Sequence, residues 1–138
     1  MTNPNVLTFP AWVRWCALLA LCSAYLQGGL VKAFNFDGAI AEMVHFGIKP
    51  PVAMAVMVII LELGASLMVL LGIYRWIGSL ALAIFTFFAT MMANRFWETP
   101  EGIRGMMANA FFEHLGLVGA FFLVSWYDRI EPRRSEDQ

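Results

Sequence analysis

The chain has 138 residues, of which 60% are hydrophobic and 14% aromatic, with only 9 basic and 10 acidic side chains. A soluble domain averages roughly 45–50% apolar residues, and one this small has no interior large enough to hide the excess, so the chain reads as an integral membrane protein. A net charge of −1 excludes the basic surface that nucleic-acid binding requires.

Four crossings of about 20 residues use roughly 80 residues, which leaves short connections and no second domain. The first crossing is expected over about 12–31, with Thr8 as its cap and Pro10 in the first turn, where a missing N–H costs nothing. It reads as a retained span rather than a cleaved leader, because it is long and Leu21, before Cys22, is too large for a lipoprotein cleavage site. Cys16 and Cys22 lie on nearly opposite sides of this helix, so a disulfide between them is not expected. The stretch from Phe34 to Gly47 is too short and too mixed to cross. Ile40 and Val44 against Glu42 and His45 predict a short amphipathic helix at the interface, capped by Asp37.

Pro50 and Pro51 then start a second span over about 52–73, which holds a single acid, Glu62. A hairpin from Gly72 to Arg75 leads into a third span over about 76–93. A polar connection from Phe96 to Gly105 precedes a fourth over about 106–126, which contains Glu113 and His114, and a charged tail runs from Asp128 to Gln138. Arg14, Arg75, Arg129, Arg133 and Arg134 share one face of this topology, against Lys32, Lys49, Arg95 and Arg104 on the other. Trp12, Trp15, Tyr74, Trp76, Trp126 and Tyr127 form a belt on the first face, which predicts both termini in the cytoplasm.

Each span also carries a line of small and polar residues at helical spacing, the pattern of helices packed against one another in lipid. The lines are Cys16, Ala20, Ser23 and Gln27 in the first; Ala55, Glu62, Ala65, Ser66 and Val69 in the second; Ser79, Ala83, Thr86, Thr90 and Asn94 in the third; and Asn109, Glu113, Gly116 and Ala120 in the fourth. Facing one another, they predict an all-α four-helix bundle with a polar interior. At a rise of about 1.5 Å per residue, Gln27, Glu62 and Glu113 fall roughly 7–15 Å below the outer boundary. The expectation is one solvent-poor chamber shared by both acids.

Carboxylates in hydrocarbon must be protonated, paired or hydrated. Lys32, Arg95 and His114 are the available partners, and Glu62 and Glu113 are the candidate proton-transfer acids. Gln27, Lys32, Asn94, Asn109 and His114 are the candidate ligand-binding residues. No metal site is expected, since two histidines in different regions and no cysteine pair do not supply three or four convergent ligands. Nine methionines read as adaptable packing.

Four segments resemble the DoxX family of small four-span bacterial inner-membrane proteins. They are Gln27-Gly28-Gly29-Leu30-Val31-Lys32-Ala33-Phe34, Phe46-Gly47-Ile48 followed by Pro50, Leu61-Glu62-Leu63-Gly64, and Leu70-Leu71-Gly72-Ile73-Tyr74-Arg75. The similarity runs from about Val13 to Val124, with Lys32 and Glu62 the cleanest matches. The stretch from Glu98 to Arg104 departs from it, being longer and more charged. Some members are subunits of thiosulfate:quinone oxidoreductases and others accompany membrane oxidoreductase or oxidative-stress complexes. The resemblance therefore implies a bacterial inner-membrane subunit linked to a redox complex, with a quinone or quinol bound at the polar site and lipid and another subunit as its partners. No intrinsic cofactor is expected, because no haem, flavin or iron–sulfur motif is present. The alternative is a non-catalytic accessory or assembly subunit whose polar lines only hold the bundle together.

Overall fold

The computed structural model describes residues 9–130, which form helices joined by short turns. In chain order these are α1 (Ala11–Phe34), α2 (Phe36–His45), α3 (Pro51–Leu71), α4 (Arg75–Ala93), a single 3-10 turn (Phe96–Glu98) and α5 (Glu101–Ile130). Four of the helices, α1, α3, α4 with its 3-10 extension, and α5, are long and apolar enough to cross a membrane. The expected four-helix membrane bundle with a short helix between the first two spans is the observed architecture.

Helix α1 packs on α3, α3 on α4 and α4 on α5, while α2 lies against α3 and α1. Glycines set two close approaches. A Cβ at Gly29 would sit 2.8 Å from the Leu63 side chain, and one at Gly78 would sit 2.7 Å from the Ala65 carbonyl oxygen. Small residues let helices in lipid approach this closely and gain dispersion contact in place of a hydrophobic drive. Side chains close the circuit from α5 back to α1: the Tyr25 ring meets Phe121 edge-on at 5.3 Å, inside a core that also holds Leu18, Cys22, Val69 and Leu82.

The expected polar lines of α3 and α4 do face inward; Ala55, Glu62, Ala65, Ser66 and Val69 are buried on one, and Ser79, Ala83, Thr86 and Thr90 on the other. Those of α1 and α5 do not. Helix α1 buries Leu18, Cys22, Tyr25 and Gly29, leaving Cys16, Ala20, Ser23 and Gln27 exposed. The offset of two residues turns the face by about 200°. Helix α5 buries Phe111, Phe121 and Ser125 and leaves Asn109, Glu113 and Gly116 exposed. A polar side chain needs a partner, not a particular neighbour, and Ser23 finds one on its own helix by donating to the Ala20 carbonyl at 2.7 Å.

Helix ends differ from expectation in three places. Pro10 is the N-cap residue of α1 rather than part of its first turn, and Thr8 lies outside the described residues. The cap of α2 is Asn35, whose side-chain oxygen accepts from the Gly38 N–H at 3.1 Å. Asp37 instead sits in the first turn, where its charge complements the helix dipole. Asn35 is the only residue between α1 and α2, so this bond fixes the angle at which Ala39 and Met43 meet Ala55. Asn35→Ala is expected to cost about 1 kcal/mol, read as a lowered unfolding midpoint in detergent. Finally, α5 begins at Glu101, five residues before the expected start. Pro100 carbonyl bonds to the Ile103 and Arg104 amides begin it, and an acid in the first turn favours the start despite Gly102 and Gly105.

The opposite end of the bundle is pinned by the hairpin. Gly72 closes α3 at φ 76°, and Arg75 donates from Nε to the Val69 carbonyl at 2.8 Å, capping α3's terminal acceptors. Asp128 accepts from the Trp76 amide at 3.1 Å and pairs with Arg75 at 3.4 Å. Arg129 lies over the Trp76 ring at 4.6 Å. Asp128 and Arg129 thus belong to α5 rather than to a tail; residues 131–138, with Arg133 and Arg134, lie outside the described residues.

Candidate functional site

A cavity of about 500 Å³ lies where α1 and α4 end and α3 begins, with α2 as one wall. Most of its lining is apolar, including Met54, Met57, Leu61, Phe85, Phe88 and Met92. Against this lining stand a few polar groups, the composition of a small-molecule site.

Glu62 and Lys32 form the polar centre. Glu62, one residue of the inward line of α3, is only 6% exposed, so its carboxylate must find a partner within the protein. Lys32 supplies it from the last turn of α1: Nζ lies 3.3 Å from both Glu62 oxygens. A second acid, Glu42 of α2, stands 3.9 Å from the same ammonium and is half exposed, so α2 is tied electrostatically to the site it walls. Gly28 packs directly beside the pair, a Cβ there lying at contact distance, 3.6 Å, from Lys32 Nζ and from both Glu62 oxygens, and all three residues line the cavity.

Deeper along the same wall, Thr86 Oγ1 donates to the Leu82 carbonyl at 2.6 Å. Its proton is thereby used, so Tyr25 is the donor in the buried Tyr25–Thr86 hydrogen bond. Asn94 donates to Thr90 Oγ1 at 3.1 Å and lines the cavity mouth. His114 Nδ1 lies 2.6 Å from the Ala110 carbonyl. A carbonyl only accepts, so Nδ1 carries a proton. The site therefore offers a cation, a carboxylate, an amide and an imidazole around an apolar slot.

Of the residues singled out in the sequence, the structure gathers Lys32, Glu62, Asn94 and His114 around this cavity. It does not bring in the other three. Gln27 lies along a shallow groove on the outer side of α1 with Leu26 and Leu30. Asn109 and Glu113 are exposed on α5. The single chamber expected for both acids is not formed: Glu113 and His114 are adjacent, so they point about 100° apart, and it is the histidine that faces inward. Arg95 pairs with Glu98 at 3.0 Å rather than with either membrane acid. Two lining groups escaped the sequence reading. Tyr25 had a signal, a phenol seven residues before Lys32 in a span where any hydroxyl needs a partner. Glu42 had none beyond the polar face of α2.

Comparison with known proteins gives a consistent picture. The model of the DoxX family matches residues 12–95, a range that contains both members of the ion pair. Inner membrane protein YphA of Escherichia coli (strain K12) is 23% identical over 110 residues, 79% of this chain and 78% of that protein. No solved structure matches significantly.

Proposed function

Because the chain belongs to the DoxX family, we propose that it is a multi-pass inner-membrane subunit of a redox complex that binds a quinone or quinol head group in the Lys32–Glu62 cavity. The observation that carries this reading is the cavity itself, a slot of about 500 Å³ with apolar walls and the Lys32–Glu62 ion pair in its lining. Quinone reduction takes up two electrons and two protons. Lys32 would donate a hydrogen bond to one quinone oxygen, and Glu62 would act as the proton-transfer acid, taking each of the two protons in turn from water reaching the cavity and passing it to the ring, with Asn94 and His114 orienting the ring. Electrons would come from a partner subunit carrying a flavin, haem or iron–sulfur centre. The inner-membrane assignment is supported by the name of the E. coli relative, and the aromatic belt supports cytoplasmic termini.

Titrating a short-chain quinone into the purified protein in lipid nanodiscs tests the reading. Saturable binding is expected, and Ala89→Trp, which fills the cavity from α4, should weaken it by more than about tenfold, or 1.4 kcal/mol. Equal affinity in that variant would overturn the assignment.

A second reading is favoured by the closeness of the pair. Lys32 meets both Glu62 oxygens, as a structural pin would, which suits an accessory subunit without a catalytic role. Glu62→Gln keeps an acceptor for Lys32 but removes the acid. Full activity of the intact complex with this variant supports the accessory reading, and a large loss supports the quinone site.

A further inference from the structure

The outward face of α5 is unlike a surface meant for lipid. Gly102, Gly105, Asn109, Glu113 and Gly116 are all exposed, and their spacing of three and four residues puts them on one side of the helix. Nothing lies within 4 Å of a Cβ built at Gly102, Gly105 or Gly116. A run of small residues would be uninformative alone; Glu113 makes it informative.

Glu113 lies thirteen residues from Trp126, about 20 Å along the helix. With the exposed Trp126 and Tyr127 at one boundary of a hydrocarbon layer about 30 Å thick, the carboxyl group stands about 10 Å inside the other. Exposed at that depth it meets acyl chains, which neither hydrate it nor hydrogen-bond to it. No hydrogen bond or ion pair reaches it among the described residues. Asn109, one turn away and also exposed, holds two N–H donors.

We propose that this face is the interface for a second copy of the chain. The two copies would lie in the same membrane orientation, with their α5 helices crossing at a two-fold axis. Such an axis requires a face complementary to itself, and this one carries both halves of a hydrogen bond. Asn109 of each copy donates to Glu113 of the other, while the glycines allow the backbones close enough for both bonds to form. A helix of another protein bearing a basic residue would satisfy Glu113 but leave the Asn109 donors unmatched. The proposal does not depend on what the cavity binds.

Oxidative cross-linking of the full chain in native membranes tests it. The background carries Cys16→Ser, because Cys16 is exposed, and retains the buried Cys22. Gly116→Cys, at a position with open space around it, is expected to give a homodimer band on mild oxidation. Leu115→Cys, exposed on the flank of the same helix, should give little. Glu113→Leu added to Gly116→Cys should reduce the cross-linked fraction about five- to tenfold, while Glu113→Gln, which still hydrogen-bonds, should largely preserve it. Absence of the Gly116→Cys band, equal bands at both positions, indifference to Glu113→Leu, or a cross-link to a different polypeptide would each overturn the proposal.

Discussion

Lys32→Met is expected to destabilise the bundle by about 3–5 kcal/mol, the cost of leaving a buried charge without its partner. The Glu62 side chain is nearly sealed from outside, and two other polar lining groups, Tyr25 and Asn94, are already bonded to Thr86 and Thr90. The orphaned acid must then take up a proton or draw water into an apolar slot. The double variant Lys32→Met/Glu62→Leu removes both charges and should recover most of the loss, because apolar replacement of a buried pair is often neutral. Unfolding followed in mixed micelles distinguishes the three proteins. A Lys32→Met variant as stable as the parent would show that the pair does not hold the α1–α3 contact.

Gly78→Leu should be nearly as damaging, at about 3 kcal/mol or more, above the range for adding a methylene to a packed core. The first atom of any side chain there would sit 2.7 Å from the Ala65 carbonyl oxygen and 2.9 Å from Met68 Cβ. Neither can move without displacing α3, so α3 and α4 must separate. Gly64→Leu is the matched control: it lies in the middle of α3 with nothing within 4 Å of its Cβ, and a change within about 0.5 kcal/mol is expected. Gly78 lies at the hairpin end, far along α4 from the cavity-lining Ala89 and Asn94. Loss of ligand binding in Gly78→Leu should therefore follow the unfolded fraction rather than exceed it.

The number of crossings, the amphipathic α2 and the need of Glu62 for a partner, with Lys32 one of three candidates, were legible in the sequence, because each rests on a rule that lipid makes strict. A long uncharged run can only be a span, and a lone acid within one must find a cation or a proton. The facing of α3 and α4 was legible for a related reason: both are central helices with neighbours on either side, so their small residues had packing work to do. Helices α1 and α5 meet each other through side chains such as Tyr25 and Phe121 rather than by close backbone packing, and there the same small-and-polar pattern pointed outward. Lipid tails are as apolar as leucine, so neither hydropathy nor side-chain size separates a core-facing Phe121 from an exposed Phe122. What placed Tyr25 and Phe121 inside was a contact between residues 96 positions apart, which no local pattern encodes. The site inherited this split, with the α3 and α4 members found, His114 found on the inward side of α5, and Gln27, Asn109 and Glu113 assigned to a chamber they do not enter.

The most direct test of the quinone site is photoaffinity labelling with an azido-quinone in native membranes, followed by mapping of the labelled peptides. Label concentrated on the cavity walls, between Met54 and Leu61 of α3 and between Phe85 and Ala93 of α4, and displaced by excess unlabelled quinone, is the expected result. Label spread over outward residues such as Phe122 and Leu123 without displacement would contradict a head group held beside Lys32 and Glu62.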